Sequence, residues 1–271
     1  MHITKTNLTH GPQLGSQMGQ FAGLYAIAKQ LNFDIKFFDE YIQQGRGPKL
    51  FEAFDLDHLR ASIYNTPPIQ STYSLKDVIL DSTVFSLSNQ LNWDIQGWFH
   101  LYHYWHEYRS DLLNIFKFKH NIYSIAYDNI LKIKSNEHYP IIALHVRRGD
   151  YLQVSSLNLT LDYYNEAINI FLERFVNIKL IIFSDDIEWC KQNIVGDNVV
   201  YSEGNSNLVD MCMMSLCDHN IIANSTFSWW AAYLNENIDK VVVCPSNYAG
   251  ESDVSMQFIN KNYYPVDWIA L

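Results

Sequence analysis

The chain has 271 residues, of which 48% are hydrophobic, 15% aromatic and only 18% charged, and its formal net charge is −10. That length holds one large domain or two of about 100–150 residues, and the low charged fraction excludes extensive disorder. The negative field disfavours nucleic acid as a partner, so any anion site must be a local positive cluster.

In chain order, residues 1–8 suit a strand, and 11–31 a glycine-containing turn feeding a helix. Residues 33–39 suit a strand, 45–48 a turn and 65–74 a loop, while 93–118 are rich in aromatics and helical in part. Within that last segment His100, His103 and His106 recur every three residues. A metal-binding set is the lesser reading, because the three drift around a helix surface. An amphipathic helix with sugar-stacking aromatics is preferred.

The second half is more regular. "YPIIALHV" (139–146) is a short dense apolar run, as in a strand buried on both faces. A helix follows over 160–175, capped by Thr160 or Asp162, then a strand over 178–184 and a short helix over 186–194. Strands over 199–202, 219–224 and 240–246 alternate with helices over 206–218 and 225–236. Such alternation implies βαβ units, a parallel sheet and a Rossmann-like domain over 138–271. Residues 1–137 repeat the strand–glycine loop–helix–strand opening and suit a second α/β domain.

Parallel doubly wound sheets bind ligands outside the carboxyl ends of their strands. Three polar clusters fall there: His145 to Asp150, Ser184 to Asp186, and Asn224 to Ser228. Arg147 and Arg148 offer forked donors matched to phosphate, although a surface pair neutralised by acidic loops reads equally well. Asp185 and Asp186 could accept bonds from a purine edge or a ribose, or Asp186 could simply cap the next helix. Ser225, Thr226 and Ser228 lie where helix-start amides and hydroxyls can hold phosphate oxygens. Gly15 and Gly19 in "QLGSQMGQFA" do not make GxGxxG and are a weak signal for close backbone approach to a ligand.

The longest apolar runs are strand-sized, far below the ~20 residues of a spanning helix. The N-terminus lacks an apolar signal core. Cys190, Cys212, Cys217 and Cys244 show no CxxC spacing and suit reduced thiols of a cytoplasmic protein.

"HVRRGDY" (145–151), "FSDDIEWCK" (183–191) and "NSTFSWWAAYLN" (224–235) together closely resemble the signatures of the α-1,2-fucosyltransferase family, glycosyltransferase family 11. "QLGSQMGQFA" resembles that family's N-terminal motif, GLGNQMFQYA, with Ser16 in place of its Asn. The resemblance runs from about residue 11 to 247. It implies a GT-B-like α/β fold of two Rossmann-like domains facing a cleft, with 1–137 on the acceptor side and 138–271 holding the donor. It implies GDP-β-L-fucose as donor and a β-galactoside as acceptor. The linkage would be α-1,2 with inversion, and neither metal nor cofactor would be required.

By the same resemblance Arg147 contacts the diphosphate, Arg148 supports it or the nucleotide, and Asp185 with Asp186 reads the guanine. The stretch Ser225 to Ser228, with Thr226 and Phe227 within it, holds phosphate oxygens, Asn224, Gly15 and Gln17 belong to the donor-binding set, and His145 shapes the strand end. Asp150 is the candidate general base, or else an anchor for an arginine. Trp98, Phe99 and His100 fall on the acceptor side, where the family's Gly-Tyr-Trp-Gln-Ser reads Gly97-Trp98-Phe99-His100-Leu101. The lack of an N-terminal anchor suits a bacterial enzyme, cytoplasmic or peripheral at the inner face of the membrane, building surface polysaccharide on glycan or lipid-linked acceptors. A transferase using another sugar nucleotide and a non-catalytic glycan- or nucleotide-binding module are the rival readings.

Overall fold

A computed structural model describes the chain except residues 11–12, 46, 48, 77–79, 100, 135–138 and 249–253, and describes no side chain at 155 or 254–256. It divides into two compact units, Met1–Phe118 with Gln257–Tyr263, and Lys119–Met256 with Tyr264–Leu271.

The first unit holds β1 (His2–Thr4), α1 (Leu14–Leu31), β2 (Asp34–Ile35), β3 (Phe37–Phe38), α2 (Asp39–Ile42), α3 (Lys49–Ala53), β4 (Arg60–Ala61), β5 (Ser71–Ser74), β6 (Trp93–Gln96) and α4 (Arg109–Ile115). The second holds α5 (His120–Lys134), β7 (Ile141–Val146), α6 (Leu161–Arg174), β8 (Lys179–Ser184), α7 (Ile187–Asn193), β9 (Val199–Tyr201), α8 (Asn207–Leu216), β10 (His219–Ile221), α9 (Thr226–Leu234), β11 (Val242–Cys244) and β12 (Ile269–Ala270). Between the last two strands runs α10 (Val254–Tyr263).

The second unit is a six-stranded sheet in the order β12-β11-β10-β7-β8-β9, parallel throughout. Taken from β7 in chain order, that is the 3-2-1-4-5-6 arrangement of a Rossmann sheet. All six residues of β7 are buried, because helices cover both faces of a parallel sheet. Ile142, Leu144, Val146 and Ile182 pack with Tyr164, Ala167 and Phe171 of α6 and with Cys190 of α7. The chain winds outward through β8 and β9, then returns to place β10 on the other side of β7. The winding therefore reverses between β7 and β10.

The first unit has a four-stranded parallel sheet, β2-β1-β6-β5, and a separate β3-β4 pair. The strand expected over 33–39 is split, since Asp34–Ile35 pairs with β1 and Phe37–Phe38 with β4. Residues 65–74, expected as loop, end in β5, whose polar Ser-Thr-Tyr-Ser sequence is tolerated at a sheet edge. The segment 93–118 is helical in part as expected, with β6 and α4, but the amphipathic helix expected over 98–108 is replaced among the described residues by two 3₁₀ turns, Tyr102–Tyr104 and His106–Tyr108.

The division between units falls at Phe118/Lys119 rather than at the expected 137/138, and residues 135–138 of that expected boundary lie outside the described residues. The cause is α5, which buries Ile122, Ala126 and Ile130 and packs on α8. Tyr123, Ile125, Tyr127 and Leu131 on the same helix are exposed, and this blurs its apolar period in the sequence.

Candidate active site

The carboxyl ends of β7 and β10 flank the point where the winding reverses, the place where open α/β sheets bind ligands. From β7 the chain runs directly into Arg147 and Arg148, and from β10 into Asn224 and Ser225. β8, paired beside β7 with Val146 opposite Ser184, delivers Asp185 and Asp186.

The two arginines are held apart by separate partners. Arg147 donates from Nη1 to Asp185 Oδ2 at 2.6 Å and from Nη2 to Asp150 Oδ1 at 2.5 Å, and its guanidinium lies 5.2 Å from the centre of the Tyr151 ring. Arg148 donates from Nε to Asp186 Oδ2 at 3.0 Å, and its guanidinium lies 4.1 Å from the Trp189 ring centre, within cation–π range. Neither Nη of Arg148 makes a hydrogen bond among the described residues. Arg148 therefore presents an open fork, whereas both Nη groups of Arg147 are occupied.

Asp185 is fixed on two sides, because its Oδ1 also accepts the Arg148 backbone amide at 2.9 Å. A Cβ at position 149 would lie 2.5 Å from Asp185 Oδ2. A larger residue there would therefore push the Asp185 carboxylate away from Arg147. Asp186 Oδ1 accepts the Trp189 amide at 3.3 Å and caps α7, so it serves the helix and the arginine together. Asp185 and Asp186, expected to read a guanine, are both engaged with the arginine pair.

His145, at the penultimate position of β7, is buried with Nδ1 2.9 Å from Ser228 Oγ. Burial first, then the Arg147 charge, push its pKa down to about 3, so the ring is neutral at physiological pH. Ser228 is fully buried and its hydroxyl also contacts the Ala223 and Ser225 carbonyls. Ser228, expected to hold a phosphate oxygen, ties the end of β7 to the start of α9 through His145. The Phe227 ring lies 5.5 Å from the imidazole.

Ser225 caps α9, its hydroxyl accepting the Phe227 amide at 3.3 Å, and Thr226 is the first helical residue. Asn224 is buried and donates from Nδ2 to the Leu157 carbonyl at 3.0 Å. Its Oδ1 has no partner among the described residues, an uncommon state for a buried acceptor. Two residues that sequence reasoning did not assign complete the cluster. Tyr151 donates its hydroxyl to the Asn224 carbonyl at 3.3 Å, and burial raises its pKa. Trp189 stacks on Arg148. Both stand inside the quoted motifs, Trp189 three residues beyond the Asp186 cap, so helical spacing pointed to it.

The remaining expected residues belong to the first unit. Gln17 is buried and pins the backbone of the neighbouring loop, donating to the Gly47 carbonyl and accepting the Leu50 amide, both at 3.0 Å. Gly15 is buried in the first turn of α1. Phe99 is buried against Gly23, while Trp98 is 43% exposed. His100 lies outside the described residues.

The family model for glycosyl transferase family 11 matches residues 2–271. The chain belongs to that family. Family 11 relatives include the O-antigen biosynthesis glycosyltransferase WbnK of Escherichia coli, 26% identical over 95% of this chain and 97% of its own. An α-1,2-colitosyltransferase of Escherichia coli is 30% identical over 91% of this chain and 92% of its own. The fold is shared with the NodZ α-1,6-fucosyltransferase soaked with GDP-fucose, at a TM-score of 0.56 and 14% identity over 86% of this chain and 92% of that one. This family 11 member is thus a glycosyltransferase of the fucosyltransferase class, with an α/β architecture of the GT-B type. No helix among its described residues is long and apolar enough to cross a membrane.

Proposed function

We propose that this enzyme transfers L-fucose from GDP-β-L-fucose, with inversion, to the 2-hydroxyl of a β-galactoside on a bacterial surface-glycan precursor. The observation that carries the reading is the arginine pair at the winding reversal, at the end of β7 and beside β10, the strand that leads into α9. A departing nucleoside diphosphate gains negative charge in the transition state, and the open Arg148 fork, Arg147 and the α9 amides are preorganised donors for it. The sugar passes through an oxocarbenium-like state and is attacked from the face opposite the diphosphate, as in inverting glycoside chemistry.

Charge neutralisation by arginine makes a divalent metal unnecessary in this scheme. Asp185 and Asp186 act by orienting the arginines, and guanine recognition then falls to groups other than these two carboxylates. Trp98 is the aromatic we assign to acceptor stacking. Asp150 remains the candidate base only in a state where it has left Arg147.

A transfer assay with GDP-fucose across β-galactoside acceptors tests the reading, with and without a chelator. Formation of an α-1,2-linked product at a rate the chelator leaves unchanged is expected. Hydrolysis or transfer strictly dependent on added metal would overturn the metal-free scheme. The colitosyltransferase relative favours a second reading, in which the sugar lacks the 3-hydroxyl of fucose. Competition between the two activated sugars decides it, because a site built to bond that hydroxyl rejects the sugar lacking it by orders of magnitude.

A further inference from the structure

Three carboxylates, Asp150, Asp185 and Asp186, are paired with two guanidinium groups. Three negative charges against two positive leave the cluster at a formal −1. A centre meant to receive a diphosphate cannot keep that balance, since like charges at hydrogen-bond distance are strongly unfavourable.

The three are not equally fixed. Asp185 bonds the Arg147 side chain and the Arg148 amide, rests against Gly149, and its side chain is 27% exposed. Asp186 bonds Arg148 and caps α7. Removing either undoes a structural bond as well as an ion pair. Among the described residues Asp150 makes one bond only, from Oδ1 to Arg147 Nη2, and its side chain is 64% exposed. It sits on the short 3₁₀ turn Gly149–Gln153, where a change of rotamer swings the carboxylate into water. Arg147, by contrast, is 22% exposed and backed by the Tyr151 ring, so the guanidinium stays while its partner leaves.

We propose that Asp150 occupies the place of the ligand's anion on Arg147 and is displaced when a diphosphate binds, which makes it a determinant of donor affinity and selectivity. The proposal rests on the reading that the arginine pair receives the donor diphosphate. While Asp150 is in place, Arg147 is closed to weak anions, because a newcomer must outcompete a short charge-assisted bond. A diphosphate does so by engaging Arg147 and the open fork of Arg148 together.

Calorimetric titration of the whole protein with GDP, and separately with inorganic diphosphate, tests this. Asp150→Asn and Asp150→Ala should each tighten both ligands by about tenfold, while Asp150→Glu stays within about threefold of wild type. Unchanged or weakened binding of both ligands in the Asn variant overturns the proposal, and Asp150 is then an anchor that orients Arg147. Tighter diphosphate without any GDP binding keeps the placeholder and removes the guanine nucleotide from the proposed function. Equal GDP affinity in wild type and variant does the reverse. The exposed position of Asp150 means that these variants should melt within about 2 °C of wild type.

Discussion

Both units carry a polar cluster at the carboxyl ends of a parallel sheet, and the two clusters behave differently. In the first unit Lys5, just past β1, is buried and donates to the carbonyls of Ile95 at 3.2 Å and Gly97 at 2.6 Å. Beside it Thr6 donates its amide and hydroxyl to Asp94, at 3.0 and 2.8 Å, and Gln96 donates to Thr6 and Asp94. These bonds answer the charges of Lys5 and Asp94, while Oδ1 of the adjacent Asn7 is buried without a partner among the described residues. In the second unit the Arg148 fork is open among the described residues, and one carboxylate exceeds the count of arginines. The difference lies in charge: the first cluster spends its cation on backbone carbonyls, whereas the second keeps guanidinium donors unspent at the end of its sheet.

The largest break in this contrast should come from Arg148→Ala. Removing a preorganised donor from the developing charge should lower kcat/KM by about 10³-fold, or ~4 kcal/mol, with little change in melting temperature. Retention of more than a tenth of the activity would show that the open fork is not used.

Lys5→Met should do the opposite. It strands the carbonyls of Ile95 and Gly97, costing about 2–3 kcal/mol of stability by chemical denaturation, while kcat of the folded fraction stays near wild type. A kcat loss with unchanged stability would make the first cluster a site as well.

A smaller effect concerns His145. Its folded pKa of about 3 lies below the unfolded value of 6.5, so the unfolded chain takes up a proton that the folded chain refuses. Stability is therefore complete above pH 6.5 and falls as pH drops toward 3, by up to about 1.4 kcal/mol per pH unit. His2 and His219, also held low by burial, add to the same trend. Denaturation midpoints of wild type and His145→Gln, measured between pH 7 and 4.5, should therefore differ in slope by about one proton. Parallel slopes would mean that His145 is already protonated in the fold.

The smallest effect is expected for Tyr151→Phe, which removes the bond to the Asn224 carbonyl but keeps the ring behind Arg147. It should change kcat/KM by less than about tenfold. A larger loss would give the hydroxyl a direct part in transfer.

Much of this was legible in the residues. The dense apolar run 141–146, the alternation that follows it and the polar residues at three strand ends dictated a parallel sheet with its chemistry at the carboxyl ends, because backbone pairing and face burial are local demands on a sequence. The first unit was less legible. Its strands are two to four residues long, too short to show a period, and polar β5 reads as loop until β6 pairs with it.

The composition of the site was written in three short motifs, but the division of labour within it was not. Adjacent arginines look alike in a sequence. Only the packing of β8 against β7 brought Asp185 to Arg147 and to the Arg148 amide, set Asp186 and Trp189 on Arg148, and left Asp150 on the water side of Arg147. Only the return of the chain to β10 placed Ser228 under His145. Sequence determined which charges reach the end of the sheet, since strand register is a local property. Tertiary structure decided how the charges of two different strand ends neutralise one another, since Asp185 and Asp186 are distant in the chain from the arginines they meet, while the Arg147–Asp150 pair is local.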